Sequence, residues 1–211
     1  MKVAGRGALR TEERTAVQTA VESLRSGGLV VFPTDTVYGL AAGAFRPEAI
    51  GRIYRLKGRS YKKPLPFLVA HLDQARALVE PIPARLRRLL DRYWPGPLTV
   101  IFKTSPLGRW VAGGKDTIAV RIPKHRVALE LLREFGQPLA TTSVNISGGT
   151  PARSGTQART FCSGKVGVVL DAGRCPVGEP STILDASTYH WVLRREGAIK
   201  EKELLKYLRG R

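Results

Sequence analysis

The order of strand-like and helix-like segments predicts an α/β protein built on a mixed sheet. Short apolar, β-branched runs alternate along the 211 residues with amphipathic stretches of helical period. Hydrophobic residues make up 43% of the chain, which is enough for a sizeable core and argues against disorder. The chain has no repeats and no linker-like tract, and its length fits one large domain or a domain with a tail.

The first quarter of the chain predicts a helix, a strand and a second helix. Acidic residues after Thr11 and an apolar period of three and four residues indicate the first helix, which Gly27-Gly28 ends. Leu29 to Phe32 is apolar and mostly β-branched or aromatic, so we expect a strand there, and a proline follows it. Pro47 is typical of a first helical turn, and this helix should end at Lys57-Gly58.

The remaining chain continues the alternation. The predicted strands are 65–70, 99–102, 117–123, 138–142, 166–170, 182–184 and 191–193. The predicted helices are 72–80, 84–93, 127–135 and 201–208. Residues 150–164 are polar and loop-rich, with room for one short helix.

The charge balance favours a polyanionic partner. Lys and Arg number 35 against 17 Asp and Glu, which gives a net charge of +18. Nucleic acid, a nucleotide or a membrane surface would each suit that charge. No apolar run is long enough to cross a bilayer, and residues 1–10 lack the apolar core of a signal peptide. We therefore expect a cytoplasmic protein without a membrane partner.

The cysteines and histidines predict no protein-held metal. Cys162 and Cys175 lack CxxC spacing and are expected to be reduced, structural thiols. His71, His125 and His190 show no ligand spacing.

The most informative stretch runs from Val30 to Leu40. Its strand opens onto two threonines, an aspartate and a tyrosine, as at the ligand-facing edge of an open α/β sheet. An ordinary turn would explain the same residues, with Thr34 or Asp35 capping the next segment. For Asp35 we expect the capping role.

Cations, hydroxyls and an amide recur where predicted strands and helices end. They are Lys57, Arg59, Arg121, Ser143, Asn145 and the pair Arg194-Arg195. Gathered together, such groups can bind a phosphate chain and a carboxylate. Taken singly, Lys57 and Arg59 would be solvated helix-end charges, Arg121 a surface ion pair and Asn145 a turn residue. The chain contains no Walker motif, no GxGxxG and no G-x-S-x-G, so ordinary NTPase, Rossmann and serine-hydrolase functions are unsupported.

Five motifs together resemble the YrdC-like domain of threonylcarbamoyl-AMP synthases. They are Pro-Thr-Asp-Thr-Val-Tyr-Gly-Leu, Lys57-x-Arg59, Trp-Pro-Gly-Pro-Leu-Thr, Ser143-x-Asn145-x-Ser-Gly and Ser181-Thr182. The resemblance implies a twisted mixed sheet flanked by helices around a broad basic cavity. It also implies the short, single-domain form, with the YrdC-like domain at 14–200 and short N- and C-terminal extensions.

The resemblance further implies a nucleotidyltransferase. The family condenses L-threonine, bicarbonate or CO2 and ATP into L-threonylcarbamoyladenylate and pyrophosphate. The product serves t6A modification of adenosine 37 in tRNA, so tRNA is an expected partner, directly or through a threonylcarbamoyl transferase complex. Mg²⁺ is expected to arrive with the ATP phosphates, and no organic cofactor is expected.

Site residues follow by similarity. The expected threonine-binding residues are Thr36, Arg121, Ser143 and Ser181. The expected ATP-binding residues are Lys57, Arg59, Lys63, Thr117, Asn145, Arg153 and Arg195, with Lys57 and Arg59 favoured for stabilising phosphate charge. Some relatives carry a histidine where this chain has Leu68, so that substrate contact is absent here.

Two other functions fit parts of the sequence. A non-catalytic module that binds tRNA or rRNA would explain the charge and the arginine-rich segment 85–92. A carbamoyl-transfer domain like that of hydrogenase-maturation proteins shares motifs, but those chains are much longer and carry zinc-finger-like cysteines.

Overall fold

The computed structural model describes residues 9–208, and these residues fold around one mixed sheet of nine strands. The strands are β1 (Val30–Phe32), β2 (Gly39–Gly43), β3 (Phe67–Leu68), β4 (Leu98–Lys103), β5 (Thr117–Arg121), β6 (Leu139–Ser143), β7 (Val168–Val169), β8 (Thr182–Asp185) and β9 (Val192–Arg195). The helices are α1 (Thr11–Arg25), α2 (Pro47–Lys57), α3 (Leu72–Leu78), α4 (Ala84–Tyr93), α5 (Pro106–Val111), α6 (Arg126–Phe135), α7 (Gly155–Cys162) and α8 (Glu201–Leu208).

Parallel and antiparallel pairs are mixed within the sheet, as predicted. The strand order is β7-β1-β2-β6-β3-β5-β4-β8-β9. The pairs β1–β7, β3–β5 and β4–β8 are parallel, and the other neighbours are antiparallel. This order brings the ends of β5, β6 and β8, which are distant in sequence, into one region of the molecule.

Two hydrophobic clusters hold the helices to the sheet. The smaller one joins α1 and α6 to the sheet through side chains such as Val17, Leu24 and Leu131. The larger one includes Leu40, Val100 and many residues of the remaining helices and strands. The buried apolar residues of α1 and α6 recur at helical spacing, which confirms the periodicity used to predict both helices.

Several element boundaries differ from the sequence-based expectation. The strand β2 and the helix α5 were not predicted. The strand β6 extends to Ser143, which therefore ends a strand instead of opening a loop. The pair Arg194-Arg195 lies inside β9, whereas we expected it to follow that strand.

Some expectations concern the chain ends. No helix within residues 9–208 is long and apolar enough to cross a bilayer. The prediction on a signal peptide concerns mainly residues 1–8, which lie outside the described residues. The domain boundaries at 14 and 200 stay a prediction.

Candidate active site

A cavity of about 490 Å³ collects most of the residues predicted for the site. Eight of them line it: Thr36, Lys57, Arg59, Arg121, Ser143, Asn145, Ser181 and Arg195. Every charged residue lining the cavity is basic, within the part of the chain that the structure describes. The cavity is therefore suited to an anionic ligand.

Arg121, the last residue of β5, anchors one part of the cavity. Its Nε donates to the Gly96 carbonyl at 2.9 Å, Nη1 to Thr36 Oγ1 at 2.8 Å and Nη2 to Asp35 Oδ1 at 2.5 Å. A guanidinium has five N–H groups, so two remain without a partner among the described residues. Burial lowers the pKa of Arg121, and the Asp35 carboxylate opposes that change. The residue is thus a fixed cation with a free pair of donors, which matches a carboxylate.

Asp35 is the ion-pair partner of Arg121, so the expected capping role is wrong. Its Oδ1 also accepts from the Lys124 backbone N–H at 3.0 Å. The turn is instead organised by Thr34, whose Oγ1 accepts from the backbone N–H groups of Thr36 and Val37 at 3.1 and 3.2 Å. This arrangement aims Thr36 at Arg121. Asp35 stands out in the sequence as an acid within a motif, but no sequence feature indicates that its partner is Arg121, which lies 86 residues away.

Ser181 and Arg195 form a second part of the cavity, at β8 and β9. Ser181 is buried and its Oγ lies 2.8 Å from Thr99 Oγ1. Arg195 Nη2 donates to the Ser181 carbonyl at 2.8 Å. Burial lowers the pKa of Arg195, and the charges of Arg121 and Arg59 lower it further. Arg59, Arg121 and Arg195 thus form a cluster of like charges, and a bound anion would reduce their mutual repulsion.

The two neighbouring arginines of β9 have different surroundings. Arg195 lines the cavity. Arg194 instead pairs with Asp185, with Nη2 at 2.7 Å from Oδ2. Of the two, Arg195 is the one placed to contact a ligand in the cavity.

Lys57 and the Ser143–Asn145 segment form the third part. Lys57 is 2% exposed, so the solvated position considered for it is wrong. Its Nζ donates to the Ser143 carbonyl, to the Asn145 carbonyl at 2.6 Å and to Asn145 Oδ1 at 2.9 Å. Burial, with a further contribution from Arg59, lowers the pKa of Lys57 to about 8. Ser143 and Asn145 both line the cavity, which confirms that residues two apart face the same side.

Arg59 shapes the basic loop beside this segment. It is half-buried, and its Nε and Nη2 donate to the carbonyls of Lys63 and Pro64 at 3.0 and 3.1 Å. The loop therefore folds back on the guanidinium while Arg59 still lines the cavity.

Three predicted ATP-binding residues do not line the cavity. Lys63 and Arg153 are exposed. Thr117 begins β5 and lines a separate cleft with Tyr61 and Trp110. Their contact with ATP stays a prediction.

Sequence reasoning gave no role to several residues that build the site. Thr99 touches Ser181, and the Gly96 carbonyl accepts from Arg121. Both belong to the motif Trp94 to Thr99, so the motif was the available signal. Leu68 lines the cavity as well.

The cysteines are free and buried, as expected. Burial raises the pKa of Cys162 and Cys175 to about 11. Within residues 9–208, no three His, Cys, Asp or Glu side chains gather in a way that could hold a metal ion.

Fold and site together define an α/β protein with a basic ligand cavity. The chain belongs to the Sua5, YciO and YrdC family, whose model carries the description "Telomere recombination" and matches residues 22–197. This result confirms the resemblance drawn from the five motifs.

Named relatives agree with this membership. The threonylcarbamoyl-AMP synthase of Pyrococcus abyssi (strain GE5 / Orsay) is 37% identical over 197 residues, covering 93% of this chain and 58% of the relative. The putative threonylcarbamoyl-AMP synthase of Mycobacterium tuberculosis (strain ATCC 25618 / H37Rv) is 37% identical over 199 residues, covering 93% and 91%. The chain thus spans little more than half of the Pyrococcus relative and most of the Mycobacterium one.

Solved structures confirm the fold. Pyrococcus abyssi Sua5 complexed with L-threonine superposes with a TM-score of 0.88 at 37% identity, covering 95% of this chain and 59% of that chain. Escherichia coli YciO gives a TM-score of 0.76 at 26% identity, covering 88% and 90%.

Proposed function

We propose that this protein is an L-threonylcarbamoyladenylate synthase that uses ATP, L-threonine and bicarbonate or CO2. The observation that carries the proposal is that Arg121, with two N–H groups unpaired among the described residues, lines the same cavity as Arg59 and Arg195. A carboxylate fits the first residue and a phosphate chain fits the other two. The names of the relatives and the threonine complex of Pyrococcus abyssi Sua5 support the same substrates.

The reaction divides into two bond-forming steps. The threonine amine attacks the carbon of CO2 and loses a proton, which gives a carbamate. A carbamate oxygen then attacks the α-phosphorus of ATP in line, and the bond from that phosphorus to the bridging oxygen breaks. Pyrophosphate leaves with much of the charge, so cations beside it stabilise the transition state.

Each part of the cavity has a place in this scheme. Arg121 would hold threonine by its carboxylate, with Thr36, Ser143 and Ser181 lining the same cavity. Arg59, Asn145 and Arg195 would hold the phosphates of Mg·ATP, which we treat as the substrate form. Positioning matters as much as charge here, because two small reactants must meet a large one.

The proposed setting is the cytoplasm, where the product would serve t6A modification of tRNA. The net charge of +18 suits a handover near tRNA, either directly or through a transferase complex. The same charge supports the alternative of a non-catalytic RNA-binding module.

One assay separates these functions. The protein is incubated with Mg·ATP, L-threonine and bicarbonate, and pyrophosphate and the adenylate are both measured. We expect pyrophosphate release that requires threonine and bicarbonate together. Equal release without threonine would contradict the proposal, and no release together with tight RNA binding would favour the RNA-binding module.

A further inference from the structure

The ammonium group of Lys57 has no donor left for a ligand. A lysine side chain carries three N–H donors and no acceptor. In this structure those donors meet three oxygens, namely the carbonyls of Ser143 and Asn145 and the side-chain Oδ1 of Asn145. A lysine that binds phosphate would have to break at least one of these contacts.

Lys57 also holds the same segment through its main chain. Its own backbone carbonyl, at the end of α2, accepts from the Ser147 backbone N–H at 3.1 Å. Residues 143–147 are therefore attached to α2 through both the side chain and the main chain of one residue. An otherwise irregular turn is fixed against a helix in this way.

The contact to Asn145 decides which way the amide faces. Because the ammonium can only donate, the atom next to it must be the oxygen of the amide. The same Oδ1 also accepts from Ser143 Oγ at 2.6 Å. The amide nitrogen is consequently turned away from Lys57, and one of its N–H groups donates to the Gly149 carbonyl at 2.6 Å.

The groups that remain unpaired decide whether each side chain donates a hydrogen bond to a ligand or accepts one from it. Asn145 keeps one side-chain N–H, and it has no lone pair directed away from Lys57 and Ser143. Ser143 has committed its hydroxyl proton to Asn145, so only oxygen lone pairs remain. Both side chains line the cavity. Asn145 thus suits an acceptor such as a phosphate oxygen, and Ser143 suits a donor such as an ammonium or hydroxyl group.

We propose that Lys57 is a positioning residue that fixes this polarity, making Asn145 a donor and Ser143 an acceptor toward the cavity, and that it does not itself bind phosphate. The inference rests on the proposed function only for the ligands named, threonine and ATP. It replaces the expectation that Lys57 stabilises phosphate charge directly. Arg59 keeps that role.

Binding measurements on three variants test the proposal. Calorimetry would measure the affinity for L-threonine alone and for ATP alone in Lys57→Met, Arg59→Met and Ser143→Ala. Lys57→Met should weaken threonine binding about tenfold, because Ser143 loses its fixed orientation. Arg59→Met should leave threonine affinity unchanged and weaken ATP binding about 10- to 100-fold.

A double variant tests more stringently whether Lys57 acts through Ser143. If Lys57 acts through Ser143, combining Lys57→Met with Ser143→Ala should weaken threonine binding no more than the larger of the two single effects. Independent, multiplying effects would overturn the proposal. So would a Lys57→Met protein whose threonine affinity is unchanged while its ATP affinity falls.

A measurement on the unaltered protein covers the case in which Lys57→Met does not fold. Scalar couplings across the hydrogen bonds from Lys57 Nζ to the carbonyl carbons of Ser143 and Asn145 can be recorded by NMR. We expect them to persist at saturating pyrophosphate or ATP, and their loss would show that Lys57 moves to the phosphates. If the protein binds neither threonine nor ATP, the proposed function fails, while the couplings in the free protein still decide whether the attachment exists.

Discussion

Asp35 and Arg121 form an ion pair in which Nη2 lies 2.5 Å from Oδ1 and the side chains are only 5% and 6% exposed. Each charge would be costly to bury alone, so the pair is stable only as a unit. The carboxylate keeps Arg121 charged and oriented, and two N–H groups of the guanidinium remain without a partner among the described residues. Asp35, in the 33–40 turn, thus fixes the orientation of Arg121 at the end of β5.

Replacing Asp35 by Asn should destabilise the fold and weaken threonine binding. The variant leaves a buried arginine without its counter-charge, which costs about 3–5 kcal/mol of unfolding free energy. Denaturant unfolding measures that loss. Asp91→Asn is the matched control, because its exposed pair with Arg87 on α4 should change stability by less than about 0.5 kcal/mol. An Asp35→Asn protein as stable as the parent would contradict this account of the pair.

The sequence predicted the sheet type and most helices, because the apolar period is a local property, and the family resemblance predicted eight residues of the cavity. It missed β2, whose residues Gly-Leu-Ala-Ala-Gly have low strand propensity. Tertiary packing explains them: a Cβ on Gly39 would lie 3.0 Å from Thr141 Cγ2, so the sheet requires a small residue there. The unpredicted α5 has a similar origin, since a Cβ on Gly108 would lie 1.8 Å from the Leu78 carbonyl oxygen.

The partners of the charged residues were beyond sequence reasoning for a different reason. Lys57 and Arg121 each find their contacts about 85 residues away along the chain. Their burial depends on strand order, which local patterns do not encode. The expected capping role of Asp35 was wrong for this reason, and so was the solvated position that Lys57 would have if taken singly.

Arg195→Ala should reduce the proposed synthase activity, whereas Arg194→Ala should not. Arg195 faces the cavity, and loss of a charge-assisted contact to a phosphate costs about 1.5–3 kcal/mol. Its neighbour Arg194 pairs with Asp185 away from the cavity, so its removal should affect stability slightly and kcat/KM for ATP very little. Steady-state kinetics on the two variants decide the matter. Equal losses in both would show that β9 acts through its structure alone.

Arg59→Ala should weaken ATP binding by about 1.5–3 kcal/mol while the protein stays folded. Arg59 is half-buried, and its loss removes two donors from the 59–64 loop without opening the hydrophobic core. Calorimetry measures the affinity, and circular dichroism checks the fold. Arg88→Ala, an exposed arginine of α4, serves as the control for a change of net charge alone. ATP affinity that is the same in both variants would remove Arg59 from the site.

RNA binding should be weak and mainly electrostatic. Arg88 and Arg92 are exposed on α4 in a chain of net charge +18. The logarithm of the affinity should fall linearly with the logarithm of salt concentration, and replacing both arginines by Gln should reduce the slope by roughly one to two. Filter binding or anisotropy at several salt concentrations measures it. A sequence-specific complex that ignores salt would instead support the RNA-binding module.

Ser143 and Asn145 should differ in which substrate they affect, although a 2.6 Å hydrogen bond joins them. Ser143 offers lone pairs, which suit the amine or hydroxyl of threonine, so Ser143→Ala should raise the KM for threonine more than the KM for ATP. Asn145 offers an N–H, which suits a phosphate oxygen, so Asn145→Ala should raise the KM for ATP more, or lower kcat if the amide orients the phosphates.

Asn145→Asp makes the test more specific, because a carboxylate keeps the contact to Lys57 but replaces the donor by an acceptor facing an anion. It should therefore weaken ATP binding at least as much as Asn145→Ala. If every variant shifts both KM values in parallel, the segment acts as one structural unit and the division of roles is wrong.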